Sequence, residues 1–335
     1  MSELFISVDV ETSGPSPDTY SLLSIGAVLV EHADEIFYIE LKPDREGFET
    51  EALQVCGLSL ERLTSEGVDA GQAMARFAEW VTRALNGQRP VFVAYNAPFD
   101  WMFVSTYFHR YVGANPFGHS ALDMKALYLG LTGASIGAAD ALFCSLADGY
   151  LDSATLATLE PTLQAIRWPD ADTTSRDATQ GALAQALGVQ ALAPLAPPLL
   201  QHLPALYRHF SGCDIDAILQ SLADERDLAH QDWAQATLQT LRRRSPLMLA
   251  VTQRQLLAGR RLDLADCFRL ELTLGHHAFE AGDFIEGVRA LIIDKDNAPR
   301  WKYPDHAAVP AAVLERFFTA PWPPAAHPLA ELGGA

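Results

Sequence analysis

Strand-forming segments crowd into the first 130 residues of this 335-residue chain and then nearly stop. Residues 4–10, 24–31 and 36–41 are short runs rich in Val, Ile, Leu and Phe, parted by turn residues such as Gly14-Pro-Ser-Pro17 and His32-Ala-Asp34, and they predict a meander. Ala73 to Leu85 then sets apolar residues at helical spacing, and Pro90-Val-Phe-Val-Ala94 reads as a buried strand. Phe99 to Tyr111 reads as a helix, and a short strand near Ser120-Ala-Leu122 enters another over Asp123 to Leu131. Strands interleaved with helices call for an α/β layer. Beyond about residue 150, Ala/Leu/Gln-rich helical patterns dominate. They are broken by Pro169 and by Ala193-Pro-Leu-Ala-Pro-Pro198, which reads as a linker about as readily as a packed corner. The expectation is an α/β region over 1–130 and a mainly α region over 131–335.

A chain of this length makes two domains or one large one, and 49% hydrophobic with 20% charged residues is a globular balance. No apolar run reaches membrane-spanning length, and Met1-Ser-Glu3 lacks the basic start of a signal peptide, so a cytoplasmic protein without membrane contact is expected. Cys56, Cys144, Cys213 and Cys267 are scattered without Cys-x-x-Cys spacing and read as reduced packing thiols. The net charge of −18 opposes nonspecific binding to a polyanion, and residues 1–130 alone hold 8 Lys and Arg against 18 Asp and Glu, a balance of −10. Long duplexes are disfavoured as substrates. A nucleic-acid enzyme this acidic depends on metal ions and local contacts, or takes short oligonucleotides.

The chemistry concentrates in carboxylates. Asp9 and Glu11 close the apolar run Phe5-Ile-Ser-Val-Asp9-Val-Glu11-Thr-Ser-Gly14, and residues two apart on a strand share a face. Asp100 ends Tyr95-Asn-Ala-Pro-Phe-Asp100 at a helix start, with Asn96 placed to orient the turn. Oxygen donors from several elements suit Mg²⁺ or Mn²⁺ and two-metal phosphodiester hydrolysis. An isolated Asp-x-Glu is commonplace at strand ends, so the case rests on the wider pattern. That pattern resembles the DEDD 3′–5′ exonuclease superfamily, the RNase T and proofreading-exonuclease group, with first motif Asp-x-Glu-Thr/Ser-Gly and second Asn-x-x-Phe-Asp. The second stands intact as Asn96-Ala-Pro-Phe-Asp100, and the first carries one extra residue before Gly14. The resemblance covers about residues 1–130. It implies a truncated RNase H-like domain with Asp9, Glu11 and Asp100 as catalytic ligands of two Mg²⁺ or Mn²⁺ ions, acting on short single-stranded nucleic acid 3′ ends. Asp123 matches a supporting acid position behind the metal site.

The family's third motif is His-x₄-Asp or Tyr-x₃-Asp. No Tyr here is followed four residues later by Asp, and one His fits by spacing, His209 with Asp214, as a candidate substitute. His276-His277 is read as lacking a spaced acidic or Cys partner, and so as a packed or solvated pair.

From about Leu129 the chain resembles the C-terminal half of 3-hydroxyisobutyryl-CoA hydrolases, members of the crotonase superfamily. The resemblance is carried by Tyr128-Leu-Gly-Leu-Thr-Gly133, Ala139-Asp-Ala-Leu, Gly149-Tyr-Leu, Ser245-Pro246 with Val251-Thr-Gln-Arg-Gln255, and the stretch Asp283 to Trp301. It implies a crotonase-type helical region, CoA thioester as ligand and homo-oligomers formed through the tail. The family's oxyanion loops belong to its first half, whose place is taken here by the nuclease-like segment. Arg289 and Lys295, in a cluster with Asp294 and Asp296, are candidates for a CoA phosphate, against the plainer reading of an ion-paired surface helix. Trp301 is read as a core anchor. Three readings follow: an exonuclease completed by its helical tail, a CoA thioester hydrolase needing a partner for the oxyanion loops, and a non-catalytic fusion. A severed crotonase half is expected to expose its former core face.

Overall fold

Alternation along Glu3–Thr12 makes strand β1 the centre of a sheet, because Leu4, Ile6, Val8 and Val10 all point into one core. The computed structural model describes residues 3–30, 32–119, 121–144, 146–147, 149–151, 153–166, 182–183, 185–187, 197–212, 214–281 and 283–333. β2 (Leu22–Leu29) and β3 (His32–Glu40) continue from β1 as an antiparallel meander, with Asp9 opposite Gly26 and Ser24 opposite Glu40. On the other side β4 (Arg89–Ala94) and β5 (Ala121–Asp123) run parallel to β1, giving the order β3-β2-β1-β4-β5. This is the RNase H-like α/β arrangement expected of the first 130 residues. Since β1, β4 and β5 are parallel, their carboxyl ends share one edge, where open α/β sheets place ligands.

Two short helices that the apolar spacing does not mark, α1 (Thr50–Cys56) and α2 (Leu60–Glu66), follow β3. Helix α3 (Ala70–Ala84) starts at Ala70 because the Asp69 side chain accepts from the N–H groups of Gly71 and Gln72. It buries Ala73, Met74, Phe77 and Val81, and Phe77 stacks between Phe37 and Phe108 at ring distances of 5.0 and 5.5 Å. Helix α4 (Ala97–Tyr111) begins two residues before the expected Phe99, since Pro98 is accommodated in the first turn. The fully buried Tyr107 of α4 accepts from the Leu22 N–H at 2.8 Å and donates to Asp44. Tyr107→Phe strands that buried N–H, and a loss of about 1–3 kcal/mol is expected, read as a lower denaturation midpoint at unchanged slope.

Helix α5 (Met124–Thr132) follows β5 directly. The described chain beyond it is helical, with α6 (Ala138–Phe143), α7 (Leu159–Ala165), α8 (Leu203–Phe210), α9 (Ile215–Ala223), α10 (Gln231–Arg243), α11 (Pro246–Gly259), α12 (Leu264–Ala281), α13 (Asp283–Val288) and α14 (Ala311–Phe317). The mainly α character expected after residue 130 is found, but the compact units divide elsewhere. One joins Met1–Gly133 to Ala205–Ala335, and the other is Ala134–Pro204. In the first unit the late helices return to the sheet domain: Arg260 and Arg261 pair with Glu3, and Arg244 donates to the Thr132 carbonyl. A separate small core there gathers Leu247, Val251, Leu274, Ala278 and Phe317. In the second unit, buried Asp140 accepts from the Leu199 N–H at 2.9 Å.

Apolar side chains stand exposed on the tail, among them Phe279, Phe284, Leu291, Ile292 and Ile293. Cys56, Cys144 and Cys267 are free thiols, while Cys213, Pro169 and most of the Pro-rich stretch lie outside the described residues. Among the described residues no helix is long and apolar enough to cross a membrane.

Candidate metal and nuclease site

Asp9 and Glu11 sit on the face of β1 opposite the core residues Val8 and Val10, near its carboxyl end. Asp100, in the first turn of α4, is buried and accepts from the Val10 N–H at 3.1 Å, which locks α4 to the strand between the two acids. Three acidic side chains from two elements therefore lie at one sheet edge, near enough for the Asp9 charge to act on Glu11 and Asp100. Burial pushes the Asp9 carboxyl above its ordinary range against a hydrogen bond from Tyr207. Burial, then the charge of Asp9, raises Glu11, and the same two causes lift Asp100 well above the usual carboxylate range. An all-oxygen donor set whose members repel one another fits a hard divalent cation.

Behind Asp100, Lys125 is buried, donates to Asn96 Oδ1 and lies 3.4 Å from Asp123. Asp123 also caps α5 by accepting from the Ala126 N–H at 2.9 Å, and burial raises its pKa. Asn96 was expected to orient the turn before Asp100. Its side chain makes no cap bond to α4 and instead holds Lys125.

The third-motif candidates are engaged elsewhere. His209 is buried, with Nδ1 at 2.7 Å from Ser221 Oγ and Nε2 at 2.9 Å from Glu225, and burial lowers its pKa. Asp214 caps α9 by accepting from the Ala217 N–H at 2.8 Å. Tyr207, two residues before His209 on α8, takes the place at the carboxylates: its hydroxyl donates to Asp9 Oδ1 at 3.2 Å. Burial, then the charges of Asp9 and Asp100, raise the Tyr207 phenol far above its ordinary pKa. It stays protonated at neutral pH and serves as a donor. Four residues on, where Tyr-x₃-Asp has its acid, stands Ser211, bonded to the Tyr207 carbonyl and, at 3.2 Å, to Met124 Sδ. A search that allows Ser in place of that Asp finds two tyrosines, Tyr20 and Tyr207, and the fold brings Tyr207 to Asp9.

On the tail, Arg289 was a candidate for a CoA phosphate. Its guanidinium is already bound by Glu286, Asp294 and Asp296 at 2.6–2.9 Å, so the ion-paired surface reading holds for it. Lys295 is exposed in a left-handed turn at φ 55°. Trp301 is half-buried, and its Nε1 donates to the Arg243 carbonyl at 2.9 Å. His276-His277 does have an acidic neighbour, Glu280, one helical turn on, contrary to the sequence reading.

The sequence profile of the enoyl-CoA hydratase/isomerase family matches residues 108–318. The N-terminal region is similar to the 3′-5′ DNA exonuclease Cap18 of Escherichia coli, 49% identical over 134 residues, which are 40% of this chain and 72% of that protein. The chain is also similar to 3-hydroxyisobutyryl-CoA hydrolase-like protein 1, mitochondrial, of Arabidopsis thaliana. Identity there is 30% over 218 residues, 62% of this chain and 53% of the relative. The chain spans about half the length of the hydrolases it matches. Among solved structures, an enoyl-CoA hydratase from Rhodobacter sphaeroides aligns at 22% identity with a TM-score of 0.46, over 75% of this chain and 74% of that one.

Proposed function

Because the chain belongs to two families, that of the exonuclease Cap18 in its N-terminal region and the enoyl-CoA hydratase/isomerase family over residues 108–318, we propose that it is a divalent-metal-dependent 3′–5′ exonuclease completed by its hydrolase-derived helices. The observation that carries this reading is the Tyr207 hydroxyl, delivered by α8 onto Asp9 from 198 residues away. Asp9, Glu11 and Asp100 would hold two Mg²⁺ or Mn²⁺ ions. Bound there, the ions supply an activated water and charge compensation for the phosphodiester. Asp100 also ties α4 to β1, Tyr207 orients the Asp9 carboxylate by donating to it, and Lys125 with Asn96 and Asp123 stiffens the turn that carries Asp100. The substrate proposed is the 3′ end of a short single strand. DNA is the first to try, given the activity named for the relative at 49% identity.

The test is a 5′-labelled single-stranded DNA oligonucleotide incubated with the purified chain and Mn²⁺ or Mg²⁺. A ladder of products shortened from the 3′ end, abolished by EDTA, is expected. Absence of a ladder with either ion would sink the proposal. The helical region is assigned the part of a scaffold, since Arg289 is spent on three carboxylates. Turnover of 3-hydroxyisobutyryl-CoA by the purified chain would overturn that assignment.

A further inference from the structure

We propose that His276, His277 and Glu280 form a second metal site on α12, selective for a borderline divalent cation, Zn²⁺ first, with a fourth position open to solvent. One ligand atom from each residue lies within 4.8 Å of the others. His276 Nε2 is 3.3 Å from Glu280 Oε1, and His277 Nδ1 is 3.7 Å from Glu280 Oε2. A tetrahedral ion with bonds of about 2.0–2.1 Å needs its ligands roughly 3.3 Å apart, so modest rotation of the partly exposed His276 and Glu280 closes the set.

The second observation is independent of spacing and points to a cation. His277 is buried, and its Nδ1 makes no hydrogen bond among the described residues. Its other nitrogen, Nε2, lies 2.9 Å from the Thr319 carbonyl, an acceptor only, so Nε2 carries the proton and Nδ1 presents its lone pair. A ligating imidazole held by a backbone carbonyl through its far N–H is the usual support of a metal-bound histidine. In the neutral ring that lone pair faces the Glu280 carboxylate 3.7 Å away, and a cation between them would satisfy both, whereas a second ring proton in its place would bring no Zn²⁺ binding and no cobalt bands. Two imidazoles select Zn²⁺ over the Mg²⁺ or Mn²⁺ suited to the oxygen-only Asp9, Glu11 and Asp100 set. The competitor is Arg316, whose Nη2 donates to Glu280 Oε2 at 2.9 Å. Its side chain is 69% exposed and free to swing away.

The experiment titrates untagged, chelator-stripped full chain with Zn²⁺ against a chromophoric indicator in millimolar Mg²⁺, which occupies the carboxylate site. One Zn²⁺ per chain is expected, retained in an Asp9→Asn/Asp100→Asn double variant. His276→Gln and Glu280→Gln, both at accessible positions, are each expected to weaken binding at least tenfold, and Arg316→Ala to tighten it. Replacement by Co²⁺ should give the intense visible bands of a four-coordinate ion, lost in His276→Gln. Unchanged Zn²⁺ affinity in both His276→Gln and Glu280→Gln, or loss of the ion in the double variant, would overturn the proposal.

Discussion

Replacing Asp9 or Asp100 by Asn is expected to lower 3′-end trimming by at least about 10³-fold, or about 4 kcal/mol of transition-state stabilisation at 1.36 kcal/mol per decade. Each variant removes one anionic donor while keeping side-chain shape. The amide introduced by Asp100→Asn retains an oxygen able to accept the Val10 N–H at the position where Asp100 now accepts it at 3.1 Å, so the link between α4 and β1 survives. Loss of activity in that variant then reports on charge rather than on unfolding. Stability gives a second readout of opposite sign. Burial and the Asp9 charge raise the folded-state pKa of Asp100 above its unfolded value, so the metal-free folded state takes up the proton more readily. Its stabilising effect is fully present below the unfolded pKa and is lost as pH rises through the folded one. Metal-free Asp100→Asn should therefore melt higher than wild type at neutral pH, with the gap narrowing in acid, and Mn²⁺ should raise wild type toward the variant. Robust trimming by Asp9→Asn would place catalysis outside this cluster.

How the sequence foreshadows these sites depends on how local each signal is. The alternation along β1 and the unbroken Asn96-Ala-Pro-Phe-Asp100 segment put two acids on one strand face and the third in a helix's first turn, because strand period and helix start are set by neighbours in sequence. α1 and α2 escape notice for the opposite reason: each is seven residues long, and α1 buries no residue, so no apolar stripe marks it. The boundary at residue 130 follows a change of composition. The fold instead joins residues 205–335 to the sheet domain, through long-range pairs such as Arg260 and Arg261 with Glu3. A His-x₄-Asp spacing draws attention to His209, but the helix turns that side chain to Ser221 and Glu225. Glu280 lies one turn from His276-His277 and was legible all along, since i to i+4 residues share a helix face. Only the Thr319 carbonyl and the burial of Nδ1 separate that trio from an ordinary exposed pair, and both are tertiary.

Tyr207→Phe is expected to reduce trimming by roughly 10²-fold, the rate equivalent of the upper part of the about 1.5–3 kcal/mol that a hydrogen bond to a charged group contributes. The change deletes one hydroxyl and keeps the ring, which lies 6.5 Å from that of Tyr95. Because burial and then the charges of Asp9 and Asp100 keep the phenol protonated, the hydroxyl cannot act as a base near neutrality. Its loss should leave the shape of the pH–rate profile unchanged while lowering kcat. The altered step is orientation of the Asp9 carboxylate, so the variant should also need more Mn²⁺ for half-maximal rate, with the KM for oligonucleotide little changed. A general base would shift the pH profile, and a packing residue would lower the melting temperature with no change in metal requirement. Tyr207→Phe with wild-type rate and metal dependence would mean that the helical region merely shields Asp9, leaving the nuclease to the three carboxylates alone.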